Sequence, residues 1–139
     1  MVVQNKKLEK TCCFYISEFH LEMILVPYIN EKIEENITIL TEINLKNTIE
    51  ILISKMNLKP ENKEKILKLG WNGENKVKEN SNIIVIGSRQ FIEKTNSKIK
   101  NINTISVLDC YDFEKEKDNI NDIAYGYKNM LNTLGKNNF

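Results

Sequence analysis

Four short runs of apolar, largely β-branched residues, each followed closely by a stretch with helical periodicity, limit what this chain can fold into. The runs are Thr11–Ile16, Ile37–Thr41, Ile83–Ile86 and Thr104–Asp109. A nearly continuous apolar run marks a strand buried on both faces. After Ser17, a good N-cap residue, Leu21, Ile24, Leu25, Tyr28, Ile29 and Ile33 recur at three- and four-residue spacing. Glu18, Glu22, Asn30, Glu31, Lys32, Glu34 and Glu35 fill the other side of that predicted helix, and Pro27 interrupts its hydrogen bonding. Asn44 heads a second helix with Leu45, Ile49, Leu52, Ile53 and Met56 on one stripe, and Gly87-Ser88-Arg89 opens a third with Phe91, Ile92, Thr95 and Ile99. Pro60 to Trp71 reads as one helical turn leading into a strand at 66–71, although a capped helix also fits; 72–82 reads as a surface loop. From Asn119, Ile120, Ile123, Ala124, Tyr127, Met130, Leu131 and Leu134 share a stripe that predicts a last helix, with Gly135 as its stop.

Parallel strands require crossover connections, so this alternation predicts an α/β fold: a small three-layer sandwich with a mostly parallel sheet of four or five strands and helices on both faces. The 139 residues are expected to form a single domain, 1–139, with a flexible leader at 1–10 and a fraying tail at 136–139. A chain of this length buries roughly 68% of the surface its unfolded form exposes, enough for a real core. The formal charge of +1 offers no field to gather a polyanion, so a nucleic-acid partner is not expected. No apolar run approaches the roughly 18 residues of a membrane span, and the opening MVVQNKKLEK lacks the apolar segment of a signal peptide. A cytoplasmic location without membrane contact is the expectation. Ile and Asn occur 20 times each, whereas Ala and Arg occur once each, the bias of an AT-rich coding sequence and hence of a low-GC bacterium or its phage. Cys12, Cys13 and Cys110 form no C-x-x-C pair and are read as reduced, buried thiols, with Cys12 and Cys13 on opposite faces of their strand.

In doubly wound sheets, ligands bind beyond the carboxyl ends of the strands. Here those ends bring Ser17, Glu18, His20, Thr41-Glu42, Gly87-Ser88-Arg89 and Asp109-Cys110-Tyr111-Asp112 to one edge. Gly87, Ser88 and Arg89 could hold an anion with free helix N–H groups and a guanidinium fork; equally, Gly87 makes a turn, Ser88 caps the helix and Arg89 pairs with a surface carboxylate. The full phosphate fingerprints G-x-x-x-x-G-K-[ST] and G-x-G-x-x-G are absent. Asp109, Cys110 and Asp112 could act as acid, base or nucleophile with His20 as partner, although a buried Cys110 and a turn-forming Asp112 explain them as well. Neither a metal nor another cofactor is implied. Tyr125, off the apolar stripe, offers a surface for a homodimer.

Cys13-Phe14-Tyr15 with Leu21, Leu25, Pro27-Tyr28-Ile29 and Ile33-Glu34-Glu35-Asn36 resembles the start of MEDS domains, sensory modules of methanogen and methylotroph regulators. Those domains look like degenerate RecA-type α/β folds. The resemblance runs over about the first 40 residues, and Thr11 stands where the family often has a histidine. It implies a non-catalytic sensory or regulatory module that binds a small ligand or a protein partner, with no catalytic residues to carry over. A second likeness, of Gly87-Ser88-Arg89-Gln90-Phe91 to the G-S-R-x-F turn of SLOG-type nucleotide-binding folds, points instead to a small nucleotide- or phosphate-binding enzyme. In those folds the motif follows the first strand, whereas here it lies late in the chain.

Overall fold

The computed structural model describes residues 9–138, so residues 1–8 of the expected leader and Phe139 of the expected tail lie outside the described residues. The elements follow in chain order as β1 (Glu9–Tyr15), α1 (Glu18–Glu31), β2 (Asn36–Thr41), α2 (Lys46–Lys55), α3 (Pro60–Leu67) and β3 (Ser81–Ile86). Then come α4 (Arg89–Ile99), β4 (Thr104–Asp112), α5 (Phe113–Glu116), a 3-10 turn at Lys117–Asn119, α6 (Ile120–Ala124), β5 (Asn129–Asn132) and β6 (Gly135–Asn138).

Among the described residues, six strands form one sheet in the order β2-β3-β4-β1-β5-β6, parallel throughout except for the antiparallel pairing of β6 with β5. The fold is therefore α/β, a mostly parallel sheet between two helical layers. The chain starts in the centre at β1, crosses to the edge at β2, fills back through β3 and β4, and passes β1 again to reach β5. Connections leave β1 and β4, which are adjacent, in opposite directions. Their carboxyl ends, where Tyr15 pairs with Asp112, are the switch point of the topology.

Alternation along each strand divides the core in two. Cys13, Tyr15, Ile37, Ile39, Ile84, Ile86, Leu108 and Cys110 face one side and pack on Leu21, Leu25 and Ile29 of α1, Ile49 and Ile53 of α2, and Ile66 of α3. Cys12, Ile83, Val85, Val107 and Tyr111 face the other and pack on Ile92 and Ile99 of α4 and Ile123 of α6. Each such aliphatic side chain, fully buried, contributes about 1.5–3 kcal/mol relative to exposure. Cys12 and Cys13 do point to opposite faces, and all three thiols are free and buried.

Several elements differ from the sequence expectation, each for a tertiary reason. No strand forms at 66–71. Pro60 starts a helix that runs through Leu67, and Trp71 turns into the core with its indole N–H donating to Ile66 O at 2.8 Å. The expected surface loop ends earlier, because Ser81 and Asn82 open β3 and are fully buried. Before them, Asn75 Nδ2 donates to Ile39 O at 2.9 Å and Lys78 N to Thr38 Oγ1 at 3.2 Å, so this segment covers the outer edge of β2. At that end of the sheet Ser106 Oγ donates to Asn82 Oδ1 at 2.6 Å, and Thr38 and Ser81 share a hydroxyl contact at 3.0 Å.

The long last helix is replaced by five-residue α6 and a hairpin. Met130 and Leu131 enter β5, which pairs with the edge that β1 leaves open, Thr11 against Asn129 and Cys12 against Met130. Gly135 turns the hairpin at φ +109, a conformation that favours glycine, instead of ending a helix. Lys136 to Asn138, expected to fray, form β6. Finally, β4 continues to Asp112, three residues past its expected end.

Candidate functional site

Six of the eight sequence-predicted site residues, Ser17, His20, Gly87, Ser88, Arg89 and Asp112, do lie at the carboxyl edge of the sheet. Each is engaged by the chain itself. Ser17 Oγ accepts from His20 N at 3.1 Å and caps α1, while His20 Nδ1 accepts from Ile16 N at 3.0 Å and so must present a lone pair there. Ser88 Oγ accepts from Phe91 N at 3.1 Å and caps α4. Asp112 Oδ1 accepts from Glu114 N at 3.0 Å and Lys115 N at 3.4 Å, capping α5.

The position where an anion would sit is occupied as well. Glu42, directly after β2, reaches across to accept from Ser88 N at 2.8 Å with Oε1. A helix N-terminus attracts a carboxylate for the same reason that it attracts a phosphate. Gly87 allows this approach: a Cβ there would lie 2.6 Å from Phe91 Cδ2 and 2.8 Å from Glu42 Oε1. Arg89 turns away to Asp122, with Nη2 at 2.6 Å from Oδ2, and to Glu93, with Nε at 3.3 Å from Oε1. Ser17 and Ser88 thus act as helix caps, and Arg89 pairs with surface carboxylates.

Asp109 and Cys110 are not at the edge. Because β4 runs on to Asp112, both lie within the sheet and are fully buried. Asp109 faces α4 and the α6–β5 connection, where Asn96 Nδ2 donates to its two oxygens at 3.1 and 3.2 Å and Tyr127 OH donates to Oδ2 at 2.6 Å. Tyr111 OH lies 2.6 Å from Tyr127 OH; since that hydroxyl's proton goes to Asp109, Tyr111 is the donor. Lys10 sits over the Tyr127 ring at 5.6 Å. Burial raises the Asp109 carboxyl above its ordinary value, and the Tyr127 and Asn96 bonds with the Lys10 charge pull it partly back. Burial also raises Tyr111 and Tyr127, keeping both phenols protonated. Cys110 pairs in register with Cys13, and burial holds its thiol well above its ordinary value; the Cys12 thiol is pushed up to about 12. Thiols so held are poor nucleophiles.

Sequence reasoning missed three features. Glu42, placed only as part of a strand end, is the residue that closes the α4 N-terminus; nothing local marks a carboxylate whose acceptor role lies 46 positions away. Glu22, assigned to the polar side of its helix, is fully buried between α1 and α2. Val26, one turn later on the same side, was the available signal. The third is a groove of about 170 Å³ between α1 and the β5–β6 hairpin, lined among others by Ile24, Pro27, Tyr28, Glu31, Lys32 and Leu131. It could not be anticipated while the hairpin read as helix.

Among the described residues no group of three His, Cys, Asp or Glu side chains is placed to hold a metal ion, and no helix is long and apolar enough to cross a membrane. Comparison with known proteins adds no relative: no family model matches the chain, and no curated protein or solved structure is significantly similar to it.

Proposed function

We propose that this chain is a non-catalytic, intracellular regulatory or sensory module that binds a small ligand or a protein partner. The observation that carries this reading is the Glu42 carboxylate on Ser88 N. Its negative charge fills the α4 N-terminus and repels the phosphate that the competing reading, a nucleotide- or phosphate-binding enzyme, would place there. Arg89, which that reading needs for the anion, is held by Asp122 and Glu93. The resemblance of residues 12–36 to MEDS sensory domains points the same way. The groove between α1 and the hairpin, with an apolar floor at Ile24 and Leu131 and charged rims at Glu31 and Lys32, supplies a place for a small molecule.

Native mass spectrometry of freshly purified chain, followed by thermal shifts with phosphate, nucleotides and small apolar molecules, tests this function. A bound small-molecule mass or stabilisation by an apolar compound, with no response to phosphate or nucleotide, is the expected outcome. Nucleotide turnover would establish the enzyme reading instead, and an anion-induced stabilisation that Arg89→Ala abolishes would show a phosphate site at the start of α4 and favour that reading.

A further inference from the structure

Glu22 is charged in type but buried completely in the seam between α1 and α2, where Thr48 Oγ1 makes a short hydrogen-bond contact with its Oε2 and its Oε1 has no partner among the described residues. Thr48 Oγ1 also lies 3.2 Å from Leu45 O. A threonine hydroxyl carries one proton, and in a helix it commonly gives that proton to a carbonyl three or four residues back. If it does so here, the contact with Glu22 is a hydrogen bond only when the carboxyl is the donor, which requires a proton on Oε2. If the hydroxyl instead donates to an ionised Glu22, the bond to Leu45 is lost and a charged oxygen stays buried without a partner. The neutral acid satisfies both contacts of Thr48 and leaves only an uncharged carbonyl oxygen open, a far smaller cost than an unpaired charge.

We propose that Glu22 is a proton-binding latch: as the neutral acid it ties α1 to the first turn of α2 through Thr48, and losing its proton loosens α2. The charges around it favour the neutral form. Glu18, one turn earlier on α1, is of the same sign. On α2, Lys46 and Glu50 are exposed to solvent; on α3, Lys65 pairs with Glu34 beyond the far end of α1; β1 faces this side of the sheet with Cys13 and Tyr15. Burial, reinforced by Glu18 and opposed only by such donation as Thr48 makes to the ionised form, raises the carboxyl to about 7 from its ordinary 4.5. A group raised in the folded state stabilises fully below its unfolded value. That contribution is then lost as pH climbs through the folded one.

Carbon-13 NMR of the Glu22 carboxyl in the unmodified chain, with amide exchange across 46–55 corrected for intrinsic base catalysis, tests the latch. The expected titration midpoint is near pH 7, with protection of the α2 amides falling across the same midpoint in the unmodified chain and holding steady in Glu22→Gln. A midpoint in the ordinary carboxylate range, or α2 protection that does not follow the Glu22 midpoint, would overturn it. So would the same loss of protection in Glu22→Gln. The titration and the exchange profile of the unmodified chain decide the matter even if the variant does not fold.

Discussion

Buried titratable groups dominate this molecule at the scale of single residues. The Cys12 and Cys110 thiols are raised by burial, and Cys13 is equally inaccessible. A thiol-specific disulfide reagent at pH 8 should therefore label no cysteine in the native chain and all three after denaturation; rapid native labelling would show that the sheet opens around β1. Tyr127 gives Asp109 one of its few donors, so Tyr127→Phe leaves a buried carboxyl oxygen short of a partner. A loss of about 1–3 kcal/mol in denaturant unfolding is expected, and an unchanged midpoint would show that Asn96 suffices. Asp109 and Glu22 are both raised by burial, so both contribute stability at low pH that is lost as pH rises through their folded values. Between about pH 5 and 7 the Glu22 part should lower the folding constant by up to about tenfold per pH unit, a slope that Glu22→Gln removes from the thermal-melting profile. Helix caps such as Ser17 and Ser88 were legible in the sequence because capping is local chemistry. Burial of Asn82 was not, because neighbours distant in sequence create it, and burial of Glu22 showed only in the apolar Val26 one turn further along the same side.

The same division holds for whole elements. The four strands foreseen from continuous apolar runs all form, since a run buried on both faces has few alternatives. The terminal segment misled because Ile120, Ile123, Tyr127, Met130 and Leu134 keep helical spacing, yet β1 has an unpaired edge that a short strand can fill. Pairing with that edge overrides the period. Gly135 makes the hairpin possible, and Gly135→Ala, strained at φ +109, should cost about 1 kcal/mol in chemical unfolding. Gly87→Ala should cost more, about 1–3 kcal/mol, because its Cβ displaces both the Phe91 ring and the Glu42 carboxylate from the start of α4. A variant as stable as the parent would show that Glu42 is not seated on Ser88.

At the scale of the whole molecule, the sheet order brings the ends of β1, β2, β3 and β4 together, as the alternation of strands and helices implied. The candidate site was legible as a place, the carboxyl edge, and only partly as chemistry. Asp109 and Cys110 left it when β4 proved longer, and Glu42 joined it through a bond that no local motif encodes. What results is an edge at which the N-termini of α1, α4 and α5 are stopped by Ser17, by Ser88 with Glu42, and by Asp112. Following the Ser88 amide by nitrogen-15 NMR while phosphate, and then ATP, is added to the chain tests that closure most directly. An occupied N-terminus leaves the Ser88 resonance in place at millimolar anion, whereas a saturable shift that strengthens in Glu42→Gln would show an open phosphate site and contradict the closed α4 N-terminus on which the proposed function rests.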